Sequence, residues 1–457
     1  MTAAAKTADA ALSMPHMLGA VYGIHFPVIG SDASAHLQCL LYQLEHTQWL
    51  PKETIRERQF QQLARLLPHA AETVPFYREI LGDAGIDKLD WALFHSLPSL
   101  SRRALQEHFQ SLCSTHFPSS HGDAVEGMTS GSTGMPVRFL QTAVTQLFWN
   151  ALTLRDHLWQ ARDFSGKLAA IRIKVDKGDR ANWGPPASLL FRTGPAVTLN
   201  VRTDIEAQLD WLLREDPDYL ITHASNLAAL AELTLRRGAR LPRLRQARSY
   251  SEAPPGGLRE LVREAWGVEV ADIYSCEEAG HIALQCPKHG HYHVQSENLL
   301  VEVLGEDGRP CAPGETGRVV LTTLHNFALP LIRYEIGDFA EVGAPCDCGR
   351  GLPVLKRIHG RRRNMIVLPD GRRHWPSFPA EIWRAVAPVE QFRLVQRVPG
   401  AIEAEYVMQR ELAREEKAQL EMILASRFGH RFEIVWRRCA MIDRGPGYKF
   451  EDFVSEL

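Results

Sequence analysis

The segment MTSGSTGMP, Met128 to Pro136, packs four hydroxyl side chains (Thr129, Ser130, Ser132, Thr133) and two glycines (Gly131, Gly134) into six residues. Glycines let the backbone turn tightly and present N–H groups, and hydroxyls add further donors, so this composition suits a cradle for phosphate oxygens. The Gly-Lys-Ser/Thr ending of a Walker loop is absent. Taken alone, the segment reads more readily as a flexible Ser/Gly turn. Three further segments follow it in order: YSCEEAG (Tyr274 to Gly280), PLIRYEIGD (Pro330 to Asp338) and IHGRRRNM (Ile358 to Met365). Singly each is weak, because an acidic pair behind a strand-end Tyr is usually solvated and Arg-Tyr with Gly-Asp fits an ordinary turn. Their order and spacing behind the hydroxyl-rich loop carry the weight.

A second constellation is Cys286, His289, His291 and His293 in QCPKHGHYHV, joined later by Cys346 and Cys348 in CDCGR. Thiolates and imidazoles in such a set are the ligands of a tetrahedral zinc site. The C-x-C spacing is tighter than the usual C-x2-C, and free thiols beside surface histidines are the alternative. Cys276 reads as a packed thiol, and Cys39, Cys113, Cys311 and Cys439 show no partner pattern.

These residues need elements to hold them. From Ser34 to His116 apolar residues recur at three- and four-residue spacing, as in QCLLYQLEHTQWL and ETIRERQFQQLARLLPHAAETV, which predicts amphipathic helices punctuated by Pro75, Pro98 and Pro118. Beyond Gly127 short apolar runs (LAAIRI, YLITH, VEVADIYS, LLVEVL, GRVVLTTL) predict strands. NLAALAELTLRRG and GLRELVREAWG read as helices closed by glycine. Alternation of the two predicts an α/β fold with a largely parallel sheet. Near Lys356 the composition turns basic, and the chain restarts as a small α+β unit. There FRLVQRV, AIEAEYVM and RFEIVWRR are strands, and ELAREEKAQLEMILASRFG is a helix. The expected division is residues 1–360 as a large N-terminal domain and 361–457 as a small C-terminal lid. Residues 1–15 are expected to be a frayed, disordered Ala-rich tail.

Length and composition narrow the class. A chain of 457 residues exceeds one ordinary core, and its 45% hydrophobic and 23% charged fractions are those of a soluble globular protein. Lys+Arg 52 against Asp+Glu 54 gives a net charge of -2, which argues against nucleic acid as a partner. No apolar run is long enough to cross a bilayer, and the start does not read as a secretory signal. Eight unevenly spaced cysteines do not make a disulfide scaffold, so a reducing cytoplasm is the expected compartment.

In the order of these motifs the sequence resembles the adenylate-forming superfamily, within it the phenylacetate–CoA ligase and capsule-polysaccharide-type branch. The likeness runs from about Phe60 to the C-terminus and includes ETVPFYREIL, SLPSLSRRALQEHF, YSEAP and GRVVLTTLHNFALPLIRYEIGD. It implies a large domain of mixed and parallel sheets flanked by helices, plus a small mobile α+β domain. It further implies that Thr129, Ser130, Gly131, Ser132, Thr133 and Gly134 hold the ATP phosphates. Tyr274 would lie against the adenine, with Ser251 and Glu252 closing the other side. Glu278 would help hold Mg2+, a hard ion suited to carboxylate. Asp338 would accept from the ribose hydroxyls, and Arg333 and Arg361 would lie near ribose and phosphate. Lys449 would reach the attacking carboxylate and the α-phosphate, offsetting charge that develops in the transition state. For the second constellation the resemblance implies a structural zinc on Cys286, His293, Cys346 and Cys348, with His291 as the substitute ligand.

The implied reaction joins a carboxylic acid, expected to be aromatic, to AMP with release of pyrophosphate. The acyl group then passes to a thiol of CoA or of a carrier protein's phosphopantetheine arm. Phe139, Phe148, Trp149 and His223 are candidates for the acid pocket. Three positions depart from the family pattern: Met135 where many relatives have Lys, Ser275 after Tyr274 in place of Gly, and Arg363–Asn364 where hinge acids are common. They leave room for a ligase with an amine or hydroxyl acceptor, or for a non-catalytic nucleotide-binding homologue. A homodimer is the expected assembly.

Overall fold

The computed structural model describes residues 16–24, 26–85, 88–129, 136–173, 175–376, 378, 380–443 and 450–457. The expected tail at 1–15, the loop residues Ser130 to Met135 and Lys449 therefore lie outside the described residues. The chain opens with helices α1 (Asp32–Thr47) and α2 (Lys52–Thr73). In α2, Ile55, Gln59, Leu63, Leu66, Leu67 and Ala70 are buried, the three-and-four spacing of one helical face. The Gln59 amide donates to the carbonyls of Ser296 and Leu299 at 2.8 and 3.0 Å, which fastens this helical layer to the sheet beside it. Pro75 opens the next helix at its first position, where a missing N–H costs nothing.

A thirteen-stranded sheet forms the body. Its parallel half comprises β1 (Leu168–Arg172), β2 (Ala196–Asn200), β3 (Tyr219–His223), β4 (Gln246–Tyr250) and β5 (Glu269–Cys276), laid side by side as β2-β1-β3-β4-β5. Helices α3 (Ala143–Trp159) and α4 (Ala224–Arg237) belong to this half, and α4 stops at Gly238 in the left-handed region, as its sequence predicts. The sheet then turns antiparallel through β6 (Gly280–Gln285), β7 (Tyr292–Val294), β8 (Leu299–Leu304), β9 (Thr316–Thr323), β10 (Tyr334–Val342) and β11 (Val354–Arg361). The expectation of a largely parallel sheet thus holds for one half. Between β6 and β11 no helix intervenes, and strands joined by short connections run antiparallel.

After the turn Arg362–Asn364 the chain builds a separate core from Ile366 to Phe453. Its sheet runs β14-β13-β12-β15, from β12 (Gln391–Val398), β13 (Ala401–Val407), β14 (Glu433–Cys439) and β15 (Phe453–Ser455). Helix α5 (Arg414–Phe428) buries Leu420, Leu424 and Phe428 at four-residue spacing against it. The architecture is thus a large mixed-sheet domain followed by a smaller α+β one. Among the described residues no helix is long and apolar enough to cross a membrane.

Candidate functional site

The carboxyl ends of β1, β3, β4 and β5 open into a cleft of about 1500 Å3. Open α/β sheets bind ligands at these ends because the connecting loops diverge there. Thr129, Ser251, Glu252, Tyr274, Glu278, Asp338 and Arg361 all line it. Segments more than two hundred residues apart in sequence are thereby brought to one cleft.

Each is held by local structure. Val125–Met128 pairs antiparallel with Arg138–Gln141, and Thr129 locks the neck of the loop between them. Its N–H donates to the Val137 carbonyl and its hydroxyl accepts from the Val137 N–H, both at 2.9 Å. Ser251 follows β4 with φ 73°, a left-handed conformation that is strained for a residue with a Cβ. On β5 the Tyr274 hydroxyl donates to Asp338 Oδ2 at 3.0 Å. Burial and the adjacent carboxylate push that phenol well above its ordinary pKa, so it stays a donor. Asp338 and Arg361 are cross-strand partners on β10 and β11, with Arg361 Nε 3.7 Å from Asp338 Oδ1. Glu278 is buried beyond β5, where Oε1 accepts from the Tyr334 hydroxyl at 3.2 Å and faces Arg102 at 3.5 Å.

Arg333 is elsewhere. It does not line the cleft; its guanidinium pairs with both oxygens of Glu302 at 3.1 Å and donates to the carbonyls of His95 and Leu97. The expectation that it lies near ribose and phosphate is corrected: its donors are committed to a buried lock between the helical lead-in and the sheet. The expected acid-pocket residues also divide. Trp149 lines the cleft, whereas Phe139 is buried in the core and lies over Gly127, where a Cβ would come within 2.4 Å of the ring. Phe148 stacks on His325 at 4.2 Å, and His223 is buried beside Glu252 and Tyr250.

The cleft also holds side chains that sequence reasoning passed over: Arg102, Thr153, Arg248 and His281. Arg102 opens a helix in SLSRRALQEHF, a stretch recognised only as an N-terminal resemblance. Thr153 lies on α3, one turn after Trp149, and His281 lies three residues past Glu278. A helical-period scan outward from Trp149 would have found Thr153.

The Cys/His residues converge as well. Ligand atoms of Cys286, His293, Cys346 and Cys348 lie within 4.8 Å of one another. The Cys286 and Cys346 sulfurs are 3.9 Å apart, and Cys348 Sγ is 3.3 Å from His293 Nε2. Zinc–sulfur bonds of about 2.3 Å in a tetrahedron put sulfurs about 3.8 Å apart, so this donor set fits zinc. Burial lowers the pKa of His293 to about 4, so its imidazole is neutral, the form that ligates.

On the cleft itself, Phe450 N–H donates to Glu252 Oε1 at 2.9 Å. The expected hinge pair is anchored to the same strand entry. Arg363 pairs with Glu451 at 2.8 Å, and Asn364 donates to Glu451 and to the Phe453 carbonyl at 3.3 and 2.9 Å. The departure from hinge acids is thus matched by an acid on the opposite segment.

No family model matches the chain. It is 27% identical over 384 residues to a phenylacetate–coenzyme A ligase of Thermus thermophilus, covering 80% of this chain and 83% of that one. A phenylacetate–coenzyme A ligase of Escherichia coli is 24% identical over 330 residues, 69% of this chain and 73% of that one. The fold overlays on 2-hydroxyisobutyryl-CoA ligase in its postadenylation state with TM-score 0.70 at 17% identity, covering 89% and 90% of the two chains. For the anthranilate CoA ligase AuaEII the TM-score is 0.52 at 16% identity, over 72% and 66%. With Tyr274, Glu278, Asp338 and Arg361 gathered on one cleft and phenylacetate–CoA ligases among its relatives, the chain is similar in sequence and in fold to the adenylate-forming acyl-CoA ligases.

Proposed function

We propose that the protein activates a carboxylic acid with ATP, forming an acyl-adenylate and pyrophosphate, and then transfers the acyl group to the thiol of CoA. The observation that carries this reading is the convergence of Tyr274, Glu278, Asp338 and Arg361 with Thr129, Ser251 and Glu252 on one cleft. Residues 1–360 would hold the nucleotide and acid, and 361–457 would act as the lid. In the first step a carboxylate oxygen attacks the α-phosphorus and the P–O bond to pyrophosphate breaks. No enzyme nucleophile is required, because adenylation itself creates the leaving group. The protein's contribution is position and charge. Asp338 would fix the ribose, Arg361 would face the phosphates, and the loop from Thr129 to Gly134 would hold the β- and γ-phosphates. Lys449 would offset charge building on the α-phosphate.

Glu278, a buried carboxylate on the cleft, would hold Mg2+, which when bound neutralises phosphate charge. Cys286, His293, Cys346 and Cys348 would hold a structural zinc, since four protein donors leave no open position. An aromatic acid, a cytoplasmic setting and a homodimer complete the reading, with a carrier protein's phosphopantetheine as the other thiol acceptor. The relatives named phenylacetate–coenzyme A ligase support CoA. The test is acid-dependent pyrophosphate release across aryl, fatty and amino acids, followed by acyl-CoA formation. Absence of pyrophosphate with every acid would leave the non-catalytic homologue in its place.

A further inference from the structure

One wall of the cleft is polar in a way the nucleotide does not use. His281 on β6 lies opposite Ser275 of β5, so the two project to one face of the hairpin while Tyr274, the neighbour of Ser275, projects to the other toward Asp338. The face that carries His281 is covered by α3. The Trp149 ring stacks on the imidazole at 4.5 Å, and Thr153 Oγ1 is 2.9 Å from its Nε2. Trp149, Thr153 and His281 all line the cleft, and His281 is 3% exposed. Its Nδ1 is buried with no hydrogen-bond partner.

The protonation of that ring follows from its neighbours. Thr153 Oγ1 is also 2.8 Å from the Trp149 carbonyl, which can only accept. One assignment makes both contacts hydrogen bonds: the hydroxyl gives its single proton to the carbonyl and accepts from His281 Nε2–H. Burial, reinforced by the nearby Arg248 cation, lowers the imidazole pKa to about 3, so the ring is neutral. Nδ1 is then a bare lone pair. A buried acceptor without a donor is costly, and a ligand that brings a donor recovers that cost.

We propose that His281 selects an acid whose body carries a hydrogen-bond donor, a hydroxyl or amino group on a planar ring, received by the Nδ1 of an imidazole that Trp149 stacks on and Thr153 orients. This rests on the adenylating reading and deepens it from a carboxylic acid to a hydroxy- or amino-substituted aryl acid. Thr153 is a positioning residue here, since it acts by fixing the tautomer of His281.

The experiment compares kcat/KM for pyrophosphate release with ring-hydroxylated phenylacetates and benzoates against their fluoro congeners, which have nearly the same shape and no donor. At one ring position the hydroxy acid should lead by about tenfold or more. His281→Phe should bring that ratio close to one, whatever happens to the absolute rates. Thr153→Val should also shrink it, because the proton can then move to Nδ1 and the acceptor is lost. Acids turned over with ratios near one at every position in the wild type would overturn the proposal. So would a preference that survives both substitutions. If no acid releases pyrophosphate, the adenylating reading itself falls and takes this proposal with it.

Discussion

The backbone N–H of Phe450 donates to the carboxylate of Glu252 at 2.9 Å, joining the residue after Lys449 to the loop after β4. Glu252 also accepts from the Ser225 N–H at 2.8 Å, near the start of α4. One side chain therefore serves a helix N-terminus, where negative charge is favoured, and the entry of the C-terminal strand β15. Lys449→Ala should lower adenylation kcat by about a hundredfold or more, since the proposed reaction uses its cation to offset charge developing on the α-phosphate. Nucleotide binding and folding should persist. Glu252→Ala should lower the same rate less, by loosening the tether. Near wild-type pyrophosphate release by Lys449→Ala would refute the role.

Asp338 and Glu278 separate binding from chemistry. Asp338 ends the hydrogen bond from Tyr274 and would receive the ribose hydroxyls. Its replacement by Ala should weaken ATP and AMP together, by about 10- to 100-fold, the scale of charged hydrogen bonds. Glu278→Gln should leave AMP affinity nearly unchanged and depress the Mg2+-dependent rate. Isothermal titration with AMP, beside a magnesium titration of activity, distinguishes the two. Effects of both variants confined to the acid's KM would mean that the motifs are misassigned.

Several residues of the cleft could be picked out from sequence because their types are rare in combination and lie in short runs. YSCEEAG spans the end of β5 and YEIGD opens β10, and the fold brings both to one cleft. The glycine stops at Gly238 and Gly267 were equally readable, because left-handed backbone selects for glycine. Strand β15 was missed: three residues near the C-terminus carry too little period to register, and its partner β12 lies over fifty residues away. His281 and Thr153 escaped for a different reason. A lone His in an apolar strand and a lone Thr in a helix are unremarkable until the fold stacks one on the other. Arg333 was misread because sequence shows a charge beside a motif and not the buried Glu302 that claims it.

The Arg333–Glu302 lock has a thermodynamic consequence. The Arg333–Glu302 pair is buried on both sides, with side chains only 8% and 7% exposed. Removing one member strands the other's charge, a loss of about 3–5 kcal/mol. Arg333→Ala should therefore lower the denaturation midpoint strongly while the surviving folded fraction keeps its ATP affinity. A phosphate-binding arginine would do the reverse, raising the KM for ATP with an unchanged melting curve. The two outcomes are read from one preparation by urea unfolding and nucleotide titration.

The zinc site tests the region that nucleotide chemistry leaves unexplained. Cys286 follows β6 and His293 lies on β7, whereas Cys346 and Cys348 lie between β10 and β11. A metal held by all four would therefore cross-link two hairpins of the antiparallel half. With four protein donors there is no position for water, so the metal would stabilise without entering the reaction. Its loss should appear as a lower melting temperature, because binding to a preformed site is coupled to folding. Protein purified without added metal should contain about one zinc per chain by elemental analysis. Cys346→Ser should lose that zinc and melt several degrees lower, and chelation of the wild type should reproduce the shift. His291→Ala should keep its zinc, because His293 already completes the tetrahedron and His291 is only the reserve ligand. Metal-free wild-type protein with full thermal stability would show that the four donors meet for packing alone.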